Sequence, residues 1–90
     1  MYKIEDTPTA VKDLKKIRSM SSATKNKVVK IRNVIKTEPY SNEYGGEDLK
    51  RDFCGCRSFE LSKKDRVVFR IVEAENRVEI YSYLGHYSDK

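Results

Sequence analysis

The sequence holds one histidine, two cysteines and two prolines in 90 residues. No apolar run approaches the ~20 residues that a membrane-spanning helix needs. The first residues lack the apolar stretch of a secretory signal, so the expected compartment is the cytoplasm, without a membrane partner. Cys54 and Cys56 flank Gly55. A disulfide across one residue would be badly strained, and the cytosol disfavours it. Zinc takes about four ligands, and besides carboxylates only His86 remains to add one. The cysteines therefore read as ordinary reduced thiols in a turn and a strand. No internal repeat and no low-complexity segment is present.

Charge is what the chain has in quantity. Nineteen Lys and Arg against fourteen Asp and Glu give a net charge of +5 and a pI near 9.2. Such a balance favours a polyanionic partner, either nucleic acid or an acidic protein. The length fits one small domain, residues 1–90, whose thin core needs every apolar run.

Residues 2–6 alternate weakly and suggest a first strand. Thr7 and Pro8 supply an N-cap and a proline at the first helical position. Val11, Leu14 and Ile17 then recur at helical spacing, predicting an amphipathic helix over residues 8–19. Ser21 and Ser22 can cap a second helix over residues 22–37, with Val28, Ile31, Val34 and Ile35 as its apolar stripe; Pro39 stops it. Residues 37–48 read as a loop. Strands are expected near 56–62, 66–73 and 77–84, joined by turns at 63–65 and 74–76 that are short enough for hairpins. The fold class is α+β: an N-terminal strand and an antiparallel helical hairpin packed on a mostly antiparallel sheet.

The candidate chemistry sits in the second half. Cleaving RNA with side chains alone requires a base for the 2′-hydroxyl, a cation for the phosphorane and an acid for the leaving 5′-oxygen. His86 titrates in the useful range. Arg66 begins a strand and can fork onto phosphate oxygens. Glu47 can act as base or orient His86, Lys50 adds positive charge, and Tyr87 can stack on a base or donate a phenolic proton. Taken singly, each is also an ordinary surface residue.

Together they resemble the Txe/YoeB branch of the RelE/ParE toxins. That pattern runs Glu-Pro-Leu-Lys, a glycine, a strand with basic residues, an Arg-Leu-Val-Tyr strand and a terminal His-Tyr. Here Glu47, Leu49 and Lys50 hold three of the first four positions and Gly55 falls at the glycine. Arg66, Val67, Val68 and Phe69 replace Arg-Leu-Val-Tyr conservatively, and His86 and Tyr87 match the ending. Upstream, only the strand–helix–helix order agrees. Glu60 departs from the pattern, standing where an arginine is often found, and three residues follow Tyr87.

The resemblance implies the RelE-like fold and the toxin of a type II toxin–antitoxin pair, a ribosome-dependent mRNA endoribonuclease. Glu47 and His86 would share acid–base roles, in either assignment. Arg66 would hold the scissile phosphate and Tyr87 the substrate or leaving group. Lys27, Lys30, Lys50 and Arg57 are the expected RNA contacts. No metal or organic cofactor is implied. The partners would be a cognate antitoxin, the ribosome with its small-subunit rRNA, and mRNA, with operator DNA bound only through the antitoxin complex. The rival expectations are a ParE-like gyrase inhibitor and a catalytically silent member that binds only antitoxin and DNA.

Overall fold

The computed structural model describes residues 1–85. Two helices cover one face of a five-stranded mixed sheet. Strand β1 (Lys3–Asp6) opens the chain. Thr7 then caps helix α1 (Pro8–Ile17): its hydroxyl accepts the Ala10 N–H at 3.2 Å, and Pro8 sits where a missing N–H costs nothing. Ser21 caps α2 (Ser22–Thr37) in the same way, through the Thr24 N–H at 3.3 Å. Helix α2 buries Val28, Ile31 and Ile35 as its stripe predicts. Helix α1 follows its stripe at Leu14 and Ile17 but not at Val11, which is 42% exposed, while Ala10 and Asp13 join the buried edge.

The strands β2 (Glu47–Asp48), β3 (Cys56–Glu60), β4 (Arg66–Val72) and β5 (Arg77–Gly85) complete the sheet in the order β1-β5-β4-β3-β2. β1 runs parallel to β5, and every other pairing is antiparallel. Strands β3, β4 and β5 fall in the three windows expected from the sequence. β2 lies in the stretch read as loop, because two residues carry no periodicity. Phe59, Val67, Phe69, Val78, Ile80 and Tyr83 project towards the helices and close the core with Ala10, Ile17, Val28, Ile31 and Ile35. Burial of this apolar surface is the main driving force for folding.

Pairing between β4 and β5 slips twice, between the Arg66, Val68 and Phe69 rungs, so β5 bulges around Tyr81 and again around Tyr83 and Leu84. A bulge leaves strand N–H groups without a ladder partner, and buried ones must be met elsewhere. Asp13 meets two of them: its Oδ2 accepts from Tyr83 N at 3.0 Å and Leu84 N at 3.1 Å. That is why a carboxylate occupies the buried edge of α1. A second polar link sits beside it. The Tyr83 hydroxyl donates to Asp6 Oδ1 at 2.7 Å, and Arg32 Nη1 reaches both Asp6 oxygens at 3.1 Å. Burial, then the bond to Asp6, pushes the Tyr83 phenol above its ordinary range. β1, α2 and β5 meet at this point.

Arg57 lies away from the open face. Strand alternation puts it on the helix side of β3 with Phe59, where it is 8% exposed. Its Nε donates to Pro39 O at 3.0 Å, Nη2 to Ser41 O at 2.7 Å and Nη1 to Asp48 Oδ1 at 2.8 Å. A guanidinium so enclosed braces the chain's own loop.

Two stability outcomes follow. Asp13→Ala strands one buried and one part-buried N–H group, at about 1–3 kcal/mol for the first and less for the second, so urea denaturation should show a loss of roughly 2–4 kcal/mol; an unchanged midpoint would refute the bulge account. Arg57→Ala should cost about 2–3 kcal/mol and speed amide exchange across residues 41–46. Arg57→Lys should recover less than half of it, since an ammonium lacks the planar fork.

Candidate active site

The helices leave one face of the sheet open. On β2, Asp48 pairs with Arg57 and Glu47 with Ser58, so Asp48 turns to the helix side and Glu47 to the open side. β4 adds Arg66, opposite Glu60, and β5 ends on Gly85, opposite Arg66. Glu47, Ser58, Glu60, Arg66 and Gly85 therefore share one end of the open face.

Arg66 is the centre of this cluster. Its Nε donates to Ser58 Oγ at 2.8 Å and its Nη2 to Gly45 O at 3.1 Å. The same Nη2 lies 3.7 Å from Glu47 Oε2. The Arg66 side chain is 22% exposed and that of Glu47 52%. A guanidinium held at two nitrogens is oriented before any anion arrives, so little freedom is lost on binding. An approaching phosphate can take the place of the weakly held carboxylate, leaving Glu47 free to accept a proton.

The loop before β2 aims these groups. Tyr44 and Gly45 both have left-handed backbone, with φ of 52° and 63°, and turn the Gly45 carbonyl towards Arg66. Gly46 admits no side chain: an added Cβ would lie 2.3 Å from Ser41 O and 2.7 Å from Phe59. The Tyr44 ring meets Phe59 edge-on at 6.4 Å between centroids. Lys27 Nζ sits 5.9 Å from the Tyr44 centroid, within cation–π range.

Of the residues singled out in the sequence, the structure brings Glu47 and Arg66 together and puts Lys27 against the same loop. Lys30, one helical turn away, is exposed, as is Lys50 just after β2. Arg57 belongs to the other face. His86 and Tyr87 lie outside the described residues. Glu60, the departure from the family pattern, is exposed on the rung opposite Arg66. Ser58, Tyr44 and Gly45 are the site residues that sequence reasoning missed. Only the Gly45-Gly46 pair carried a signal, marking backbone that a side chain would obstruct. An open cavity of about 290 Å³ elsewhere, lined by Tyr40, Leu49, Cys54, Cys56 and Ile71, contains neither Glu47 nor Arg66. Both cysteines there are free, and burial raises the Cys56 thiol above its ordinary range.

No protein-family profile matches the sequence, and no curated protein matches it. Solved structures do. A YoeB/ParE toxin from Agrobacterium tumefaciens superimposes with a TM-score of 0.86 at 22% identity, over 94% of this chain and 99% of that one. A chain of the YoeB–YefM complex from Staphylococcus aureus gives 0.80 at 22% identity, over 97% and 99%. A chain of the RelBE2 toxin–antitoxin complex from Mycobacterium tuberculosis gives 0.70 at 25% identity, over 96% and 98%. The chain has the fold of the RelE/ParE toxin superfamily, in a form that it shares with YoeB toxins.

Proposed function

We propose that this protein is the toxin of a type II toxin–antitoxin pair and cleaves mRNA on the ribosome. The observation that carries the reading is the Glu47–Arg66 pair on the uncovered face, at the end where β5 delivers Gly85 opposite Arg66. His86 follows Gly85 directly in the sequence. A carboxylate, an oriented guanidinium and an imidazole are the set that 2′-hydroxyl attack requires.

In this mechanism Glu47 or His86 takes the 2′-proton, and the 2′-oxygen attacks the adjacent phosphorus. Arg66 offsets the charge on the non-bridging oxygens. The other acid–base residue protonates the 5′-oxygen as the P–O5′ bond breaks, leaving a 2′,3′-cyclic phosphate and a 5′-hydroxyl. Tyr87 contacts the substrate or leaving group. Lys27, Lys30 and Lys50 contribute phosphate contacts, which makes ribosome binding fall steeply with salt.

The partner reading rests on the complexes with antitoxins among similar structures, such as YoeB–YefM and RelBE2. An antitoxin segment would cover the open face and part of the helical surface, and operator DNA would be bound only through that complex. The proposed place of action is the cytoplasm; no helix among the described residues is long and apolar enough to cross a membrane.

The deciding assay is cleavage of a defined mRNA on programmed ribosomes, with the ends mapped. Arg66→Ala and His86→Gln should each lower the rate about 10²–10⁴-fold, while antitoxin binding by His86→Gln stays close to wild type. Wild-type rates in His86→Gln would remove its acid–base role. Absence of cleavage by the unmodified protein, with inhibition of gyrase supercoiling, would transfer the reading to a ParE-like inhibitor. Antitoxin and operator binding alone would identify a silent member.

A further inference from the structure

We propose that Arg70, oriented by Tyr81 on the open face, is a second phosphate-binding residue that extends the RNA track from Arg66 along β4. This rests on the ribonuclease reading and deepens it, by naming where the strand runs once its scissile phosphate lies on Arg66.

The register places the two cations. Arg66 and Arg70 belong to one strand and, four residues apart, point to one face. The ladder to β3 is unbroken, with Glu60, Ser58 and Cys56 opposite Arg66, Val68 and Arg70. At about 3.3 Å per residue the two backbone positions lie about 13 Å apart. The rung between them, Ser58–Val68–Ser82, carries no charge from β3 to β5. The carboxylate at its outer end, Glu47, is the one already assigned to proton transfer.

The surroundings of Arg70 orient its charge without cancelling it. Arg70 is exposed, and Glu79 stands opposite it on β5. Both oxygens of that carboxylate are engaged: Oε2 with Arg77 Nη1 at 2.5 Å, and Oε1 with the Tyr81 hydroxyl at 3.2 Å. Arg77 foremost keeps the Glu79 carboxyl below its ordinary range. Tyr81 in turn accepts a hydrogen bond from Arg70, which opposes the rise that burial gives its phenol. A neutral hydroxyl thus holds one side of the guanidinium, and its remaining N–H groups can fork onto a phosphate. Arg77, on the next rung of the same face, differs: Glu5, Glu75 and Glu79 all lie within ion-pair distance of it. With its charge matched, the track ends at Arg70.

The test is binding of single-stranded 2′-O-methyl RNA, which lacks the attacking hydroxyl, to the full chain across a salt series. Arg70→Ala should weaken a decamer about 3–10-fold and lower the salt slope by about 0.7, one single-strand phosphate contact. A dinucleotide, too short to reach from Arg66, should bind the variant like wild type. Arg70→Lys keeps the charge and should recover part of the loss. Lys12→Ala removes the same charge from the exposed side of α1 and should change neither quantity. Tyr81→Phe should weaken the decamer by a smaller factor, and by nothing further once Arg70 is alanine. On programmed ribosomes Arg70→Ala should raise KM about 3–10-fold with kcat within about twofold.

Wild-type decamer binding in Arg70→Ala, an equal loss in Lys12→Ala, or an equal loss on the dinucleotide would overturn the second contact. So would absence of decamer binding by wild type, whether or not it cleaves mRNA. A Tyr81→Phe loss that persists beside Arg70→Ala would remove the positioning role of Tyr81. Absence of wild-type cleavage on ribosomes, with decamer binding that depends on Arg70, would overturn the ribonuclease reading alone and leave an RNA-binding face.

Discussion

The Arg57 guanidinium governs how this chain presents its open face. A cation sent to the covered side of β3 cannot remain without partners, because burying an unpaired charge costs several kcal/mol. It takes Pro39 O, Ser41 O and Asp48 Oδ1, and these bonds draw residues 39–48 across the end of the sheet. With Asp48 paired to Arg57 on the helix side, strand alternation sends Glu47 to the open side, on the rung of Ser58. A slip of one residue in this two-residue strand would exchange the carboxylates and remove the partner of Arg66. The position of Glu47 is thus a consequence of a buried arginine on the opposite face. A second clasp holds the start of the same loop: Glu73 Oε2 accepts from the hydroxyls of Tyr2 and Tyr40, each at 2.6 Å. Those two bonds keep the Glu73 carboxyl below its ordinary range.

The same logic runs through the other end of the sheet. The slips between β4 and β5 bring Gly85 opposite Arg66, β5 advancing five residues from Ile80 while β4 advances three from Phe69. That irregularity would leave N–H groups of Tyr83 and Leu84 without partners, and Asp13 accepts both. The terminal strand can therefore bulge without the usual penalty for unmet backbone groups. Buried polar residues on the helix side stabilise the distortions that shape the open side.

Much of this was legible in the sequence, and the gaps have physical reasons. Both helices declare themselves through Thr7-Pro8 and Ser21, whose hydroxyls cap as such residues do wherever a helix begins. β3, β4 and β5 declare themselves through alternation and short turns. The burial of Asp13 on α1 was not legible, because it answers a bulge seventy residues away and no periodicity encodes that. Arg57 reads as a surface cation for the same reason: the loop carbonyls that make its burial possible are a tertiary fact. The pairing of Glu47 with Arg66 was visible only as a family spacing, since nineteen residues separate them. Their 3.7 Å approach depends on β2, a strand too short to leave a pattern. His86 and Tyr87 carry the strongest sequence motif and lie outside the described residues, so that part of the site rests on sequence.

The division between faces also explains how one fold accommodates different activities. On the covered side, Arg57, Asp13 and the apolar core are fixed by burial, where a change of size or charge is felt at once. On the open side, Glu47 stands in solvent and Arg66 is held chiefly through backbone and a serine. Substitution there changes what the surface binds or catalyses while leaving the core contacts intact. At 22% identity to toxins of the same shape, similarity of fold speaks for the covered side. The open side has to be argued residue by residue, from the charge and orientation of the groups that stand on it.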